Sequence, residues 1–160
     1  MLTWLRMYKK EMLHSIRTAV AAVGSLMIAR FCRLPESYWA AVTAIVIMQS
    51  TLGAAWTVSK QRFAGTALGA ATGALLTAYA TQNVAAFGGG VFVLGLICAL
   101  LHIGRNAFRY AGITLAIVML VTRAEPAWMI GIHRFLEISV GIAVGLFLTA
   151  VWPEPEPAAA

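Results

Sequence analysis

Charged side chains are scarce in this sequence. They make up 11% of the 160 residues, whereas hydrophobic residues make up 61% and the mean hydropathy is +0.81. A water-soluble domain of this length could not bury so much apolar surface, because small domains leave a large share of their area exposed. The composition therefore indicates an integral membrane protein.

Cysteine is also rare, and the motifs of catalysis are missing. Cys32 and Cys98 stand far apart in apolar surroundings, in neither a metal-binding spacing nor a disulfide framework. The sequence contains no nucleophile elbow and no phosphate-binding glycine loop. The three histidines fall in different segments. We therefore expect no enzyme activity, no metal site and no other cofactor.

Six apolar segments can be recognised along the chain. Their approximate ranges are 16–32, 38–55, 63–80, 84–101, 106–122 and 128–152. We expect helices, because backbone groups inside lipid must be satisfied within the segment and six segments cannot close a barrel. The predicted fold is an all-α, six-helix transmembrane domain over 16–152. An amphipathic interfacial segment is expected over 1–15, and a flexible proline- and alanine-rich tail over 153–160.

The basic residues predict the orientation of these spans. The net charge of +6 is spread between apolar segments, which fits positive-inside topology better than nucleic-acid binding. No small-residue cleavage site follows the first segment, so we expect a retained span and not a signal peptide. With a cytoplasmic N-terminus, the far side receives only Arg30, Arg33, Arg123 and Arg134. Both termini are therefore predicted to be cytoplasmic, with the following residues on that side: Arg6, Lys9, Lys10, Arg17, Lys60, Arg62, Arg105 and Arg109.

Small residues recur at a spacing of four in three segments. Such faces allow close helix contact, either within one bundle or across a dimer, and the sequence leaves both open. The repeats are Gly65, Gly69 and Gly73 in the third segment, Gly95 and Ala99 in the fourth, and Gly141 and Gly145 in the sixth.

The second apolar segment turns polar halfway along. After Met48 it passes through Gln49, Ser50 and Thr51 to Gly53. The hydroxyls can bond carbonyls of their own helix, which would be a structural role. Alternatively the helix breaks here, and freed donors face a water-filled path.

Two basic clusters follow. Lys60 and Arg62 come after Thr57 and Ser59, a pattern that predicts a hydroxyl cap, cations and a helix start, which together attract carboxylate or phosphate. The alternative is ordinary positive-inside charge.

The second basic cluster is the stretch "HIGRNAFRYAG". Arg105 and Arg109 share one helix face, with Asn106 as the expected cap. Phe108 and Tyr110 lie close by in the chain. A guanidinium beside aromatic rings suits an aromatic carboxylate. It also suits a plain interface anchor, a role that fits Arg105 better than Arg109.

The last cluster, "HRFLEIS", lies inside the sixth segment. His133, Arg134 and Glu137 can meet on one helical side because they are three and four residues apart. They form either an intrahelical ion pair that lowers the cost of insertion or a titratable relay.

Several of these residues also carry a family resemblance. The stretch from Arg17 to Leu76, together with "RNAFRYAGITLAIVML" and "HRFLEISVGIAVGLFLTAVWP", resembles the membrane domain of the fusaric acid resistance-like proteins, or aromatic acid exporters. The matching positions are Arg17-Thr18, Tyr38-Trp39, Met48-Gln49, Thr51-Leu52-Gly53, Arg62, Gly65-Thr66 and Gly69.

The resemblance implies a six-helix domain that works in pairs and moves organic anions, often aromatic carboxylates, out of the cell. Plant anion channels of the malate-transporter type are similar, more distantly. Larger members carry two membrane halves and cytoplasmic domains, so a symmetric homo-oligomer of this chain would restore the pairing. The expected location is the bacterial inner membrane. The expected partners are the lipid bilayer, an organic anion, further copies of the chain and a periplasmic or cytoplasmic protein, but no nucleic acid.

The leading hypothesis from these patterns is an exporter or channel for organic anions. Arg62 and Arg109, with Lys60 and Arg105, are expected to attract the carboxylate from the cytoplasm, and 49–51 to line its path. Arg134 with Glu137, beside His133, is expected to act as a gate or proton-linked pair. The competing hypothesis is a non-transporting membrane scaffold or accessory subunit, motivated by the glycine-rich faces.

Overall fold

The described part of the chain is entirely helical. The computed structural model describes residues 2–48, 51–80, 83–121 and 125–153, which form six α-helices and no β-strand. The predicted all-α class and its six helices are confirmed. The helices are α1 (Leu2–Phe31), α2 (Tyr38–Ile47), α3 (Leu52–Tyr79), α4 (Val84–Leu100), α5 (Arg105–Leu120) and α6 (Ala127–Val151).

Two of the described helices are long and apolar enough to cross a membrane. They are the part of α1 over Glu11–Phe31 and the whole of α6, whereas α2 and α4 are apolar but shorter. Large apolar side chains also lie on the surface, among them Phe31 at 90% and Tyr79 at 85% exposure. Lipid accommodates such a surface without the cost that water imposes. The predicted interfacial segment and first span form one continuous helix, α1.

Helix α2 covers only the first half of the second predicted segment, in agreement with the alternative of a helix break after Met48. Helix α2 ends at Ile47, and the backbone of Met48 turns extended with ψ of 91°. Thr51 then caps the next helix, because its Oγ1 accepts a hydrogen bond from the backbone N–H of Ala54 at 3.2 Å. Helix α2 therefore ends before Met48, and α3 begins at Leu52. Gln49 and Ser50 lie outside the described residues.

The third helix begins earlier than the sequence pattern predicts. Thr57 lies inside α3, where its hydroxyl donates to the carbonyl of Gly53 at 3.0 Å. Lys60 and Arg62 consequently lie roughly two turns or more past Leu52, the first residue of α3. The predicted helix start at these two cations is wrong, since the capping hydroxyl belongs to Thr51 and not to Thr57.

The chain forms two compact units. The first comprises residues 1–57 and 137–160, and the second comprises residues 58–136. Helices α3 and α6 are each divided between the two units.

In the first unit, α6 approaches α2 through glycines. A Cβ atom added to Gly141 would collide with the carbonyl oxygen of Ala40, and one added to Gly145 would lie 2.7 Å from Cγ2 of Ile47. Because glycine has no side chain, the two backbones can approach closely. The buried core of this unit consists of Ala21, Ala44 and Met48, with Leu148 packed against it.

In the second unit, α3 and α5 make the corresponding contact. A Cβ atom on Gly65 or Gly69 would collide with the carbonyl oxygen of Ala107 or Ala111, respectively. The glycine face of α3 therefore packs against α5 of the same chain. The core of this unit consists of Leu94, Ala111 and Leu115, with Leu68, Leu76, Phe87, Val91 and Phe108 around it.

We expect Gly69→Ala to lower the melting temperature, because the added methyl group meets a backbone carbonyl that cannot rotate away. Overpacking costs about 1–3 kcal/mol, more than the gain of about 1 kcal/mol in helix propensity. Gly88→Ala is the matched control, since nothing lies within 4 Å of the added atom in α4. Thermal unfolding of the purified protein should show opposite shifts, and equal shifts would contradict the close contact between α3 and α5.

We expect Thr51→Ala to destabilise the start of α3 by about 0.5–2 kcal/mol, the usual effect of losing an N-cap. The control is Thr57→Ala, because that hydroxyl only bonds a carbonyl of its own helix and alanine is the better helix former. Circular dichroism during heating compares the melting temperatures of the two variants. A larger loss for Thr57→Ala than for Thr51→Ala would show that α3 begins elsewhere.

Candidate functional site

A tight connection joins α4 to α5 in the second unit. The N–H of His102 donates to the carbonyl of Ala99 and that of Ile103 donates to Cys98, both at 3.2 Å. These bonds form a Schellman motif, and His102 takes the left-handed conformation with φ of 52°. Gly104, with φ of 94°, then redirects the chain into α5. The last turn of α4 and the first turn of α5 are therefore held side by side.

A pocket of about 370 Å³ lies beside this connection. Its volume falls within the range of small-molecule sites in proteins, roughly 300–1,000 Å³. The walls are largely apolar, with one guanidinium and one imidazole as the polar groups that can bind a ligand. The lining residues are Gly95, Cys98, Ala99, His102, Gly104, Arg105 and Phe108.

The pocket combines a cation with an aromatic ring. Arg105 is exposed at the first position of α5, and Phe108 follows three residues later, so both side chains lie on the same helix face. A guanidinium can hold a carboxylate through two parallel hydrogen bonds while a ring packs against the rest of the ligand. The stretch "HIGRNAFRYAG" thus contributes Arg105 and Phe108 to the pocket. Arg109, by contrast, is exposed and does not line the pocket.

The predicted cap of α5 is wrong. Asn106 lies inside the helix, and the cap position belongs to Gly104. The Asn106 side-chain amide instead donates to Oε1 of Gln61 at 3.2 Å, which links α5 to α3. The same two helices meet where the guanidinium carbon of Arg62 lies 4.8 Å from the centre of the Tyr110 ring.

Arg62 is therefore held inside the second unit. It is only 6% exposed, and it stacks on Tyr110 in a cation–π contact. Lys60, on the same helix, is exposed. The two cations of this cluster thus lie in different environments, since Lys60 is exposed and Arg62 packs against an aromatic ring.

The cluster of the sixth segment consists of His133, Arg134 and Glu137, which differ in burial and in their contacts. Nδ1 of His133 lies 3.4 Å from Oε2 of Glu125, a carboxylate that the spacing argument did not consider. Arg134 is 2% exposed in the second unit. Glu137 is fully buried in the first unit, where its Oε1 accepts a hydrogen bond from the backbone N–H of Glu36 at 2.8 Å.

Sequence reasoning missed His102 as a pocket residue. The sequence does indicate the connection between α4 and α5, because a histidine and a glycine separate two apolar segments in "LLHIGRN". That His102 itself takes the left-handed position is set by the hydrogen bonds of the turn. Within the described ranges, no group of histidine, cysteine, aspartate or glutamate residues is arranged to hold a metal ion.

Comparison with known proteins gives one family. The family model described as fusaric acid resistance protein-like matches residues 21–148. Similar proteins include the uncharacterized transporter YdhK of Escherichia coli strain K12, 32% identical over 99% of this chain, and YdhK of Salmonella typhimurium strain LT2, 29% identical over 94%. The inner membrane protein YeeA of Escherichia coli strain K12 is 26% identical over 94% of this chain.

These relatives are longer proteins. The chain spans 25% of the Escherichia coli YdhK, 23% of the Salmonella YdhK and 44% of YeeA. No solved structure matches the chain. Because the family model covers most of its residues, the chain belongs to the fusaric acid resistance protein-like family.

Proposed function

We propose that this chain is a multi-pass protein of the bacterial inner membrane that exports or conducts organic anions, in particular aromatic carboxylates. The observation that carries the proposal is the pocket between α4 and α5, where Arg105 and Phe108 line one cavity. The names of the relatives support a transporter at a membrane, since they refer to a transporter and to an inner membrane protein.

The anion would bind with its carboxylate on Arg105 and its ring against Phe108. Charge-assisted hydrogen bonds to a guanidinium are about twice as strong as neutral ones. Gly95, Cys98 and Ala99 form apolar walls against which the rest of the ligand would pack. The site would thus select an anion with an apolar body over a small hydrated anion.

The proposed topology brings this pocket to the cytoplasmic side. With both termini in the cytoplasm, the connection between α4 and α5 faces the cytoplasm, as does the part of α3 that carries Lys60. Lys60, Arg105 and Arg109 are all exposed, and a cluster of like charges raises the local concentration of anions. Arg62 would act indirectly, by holding Tyr110 and so the first turns of α5.

The proposed route through the membrane includes residues between α2 and α3 and buried residues of α6. The chain between α2 and α3 carries Gln49, Ser50 and Thr51, whose backbone and side-chain groups would line a wet path. Arg134 and Glu137 would form the gate or proton-linked element, with His133 beside Glu125. Buried ionisable groups inside an apolar helix are costly, and a role in transport explains their presence.

The chain is proposed to work as a symmetric homo-oligomer within the bilayer. Much of α4 is exposed and apolar, including Phe92 and Leu100, and YeeA is more than twice as long as the stretch that this chain matches. Pairing of copies would supply a second membrane unit. A periplasmic or cytoplasmic partner protein belongs to the same proposal.

We expect Arg105→Ala to reduce efflux of benzoate about tenfold or more, since a hydrogen bond to a charged group contributes about 1.5–3 kcal/mol. Arg105→Lys should retain part of the efflux because the charge remains while the bidentate geometry is lost. The measurement is loss of radiolabelled benzoate from loaded cells at matched protein levels. Arg30→Ala is the control, an exposed arginine at the end of α1 in the first unit. Equal efflux for wild type and Arg105→Ala would overturn the assignment of this pocket.

Purified protein in liposomes distinguishes the transport hypothesis from the scaffold hypothesis. We expect liposomes that contain the chain alone to release trapped benzoate faster than empty liposomes and faster than liposomes with Arg105→Ala. Trapped glucose, a neutral solute that an intact bilayer retains, reports leakage. Release equal to that from empty liposomes would favour a non-transporting scaffold or accessory subunit.

A further inference from the structure

His102 occupies a backbone position that glycine would fill at lower cost. Its φ of 52° lies in the left-handed region, and the hydrogen bonds of Ile103 and His102 to Cys98 and Ala99 identify it as the C′ residue of the Schellman motif. Glycine is the usual residue there because it has no Cβ atom to collide with the backbone. The backbone conformation by itself therefore favours glycine over an imidazole at this position.

The same chain provides an internal comparison. Arg33 also has a positive φ, of 55°, and the N–H groups of Leu34 and Arg33 donate to Ala29 and Arg30 in the same pattern at the end of α1. This second Schellman motif lies in the first unit. A substitution by glycine thus has the same backbone consequence at both positions, but only His102 lines the pocket.

One nitrogen of the His102 ring is already engaged. Nδ1 lies 3.0 Å from the carbonyl oxygen of Leu100. A carbonyl oxygen only accepts hydrogen bonds, so Nδ1 carries a proton, and Nε2 is the ring nitrogen left for a ligand. The neutral ring would offer an acceptor at Nε2, whereas the imidazolium would offer a second N–H donor.

We propose that His102 is an anion-binding residue of the α4–α5 pocket, donating from Nε2–H of its imidazolium to the carboxylate that Arg105 holds. The inference rests on the proposed function and names a second binding group for it. Because the bound anion stabilises only the protonated ring, anion binding takes up a proton. The affinity for the anion is therefore highest at low pH and falls as the pH rises.

The neighbouring groups leave few other sources for such a pH dependence. The titratable or charged side chains that line the pocket with His102 are Cys98 of α4 and Arg105 of α5. Gln61 of α3 also approaches the connection, since its Nε2 would lie 3.1 Å from a Cβ atom added to Gly104, and it carries no charge. Imidazole is the side chain that ordinarily changes its charge between about pH 5 and pH 8, and an arginine stays charged throughout.

The test is calorimetric titration of the purified full chain in detergent with benzoate, across about pH 5.5 to pH 8. We expect wild type to bind benzoate about tenfold more tightly at the acidic end, with proton uptake visible as a heat that depends on the buffer. His102→Gly should lose this pH dependence and the proton uptake while its melting temperature stays equal or rises. His102→Gln should keep part of the affinity without the pH dependence, because its amide donates without titrating.

Two controls separate the outcomes. Arg33→Gly should bind benzoate as wild type does at every pH, and Cys98→Ala should keep the wild-type pH dependence.

If His102→Gly retains the wild-type affinity and pH profile while Arg105→Ala loses binding, the role of His102 is overturned and the pocket stands. If Cys98→Ala abolishes the pH dependence, the role of His102 is overturned as well. If wild type binds no benzoate, or Arg105→Ala binds as wild type does, the proposed pocket itself is contradicted, and the inference falls with it.

Discussion

The site depends on the close approach of α3 and α5 in the second unit. Gly65 and Gly69 present no side chain to α5, so the backbone carbonyls of Ala107 and Ala111 occupy the space that a methyl group would need. With the helices this near, Arg62 reaches the ring of Tyr110 and Gln61 reaches Asn106. These contacts fix the first turns of α5, and the position of Arg105 at the start of that helix follows from them.

Polar groups in this apolar chain are arranged around helix ends and glycine contacts. Thr51 caps α3, Asn83 caps α4 through its side-chain oxygen, and the carbonyls at the end of α4 are bonded by the Schellman motif. Backbone groups at helix ends must be satisfied wherever water is scarce. The pocket arises at one such end, because the chain must turn sharply there and leaves a cavity between the last turn of α4 and the first turn of α5.

Hydropathy and spacing predicted the helical class, the six helices and a guanidinium beside an aromatic ring. The boundaries near Met48 were wrong because hydropathy does not show at which residue α2 ends, and the choice between Thr51 and Thr57 as a cap depends on backbone direction. The burial of Arg62 against Tyr110 joins residues far apart in sequence, so no local pattern reports it. His102 was missed for a related reason: its left-handed conformation is set by the hydrogen bonds of the turn.

The central claim is that an aromatic carboxylate binds between α4 and α5. A crystal structure of the full chain soaked with 4-bromobenzoate tests it most directly, since bromine gives an anomalous signal that locates the ligand without interpretation of weak density. We expect the carboxylate on Arg105 and the brominated ring against Phe108, within the cavity that Gly95 and Cys98 line. A bromine position elsewhere in the protein, with this cavity empty, would contradict it.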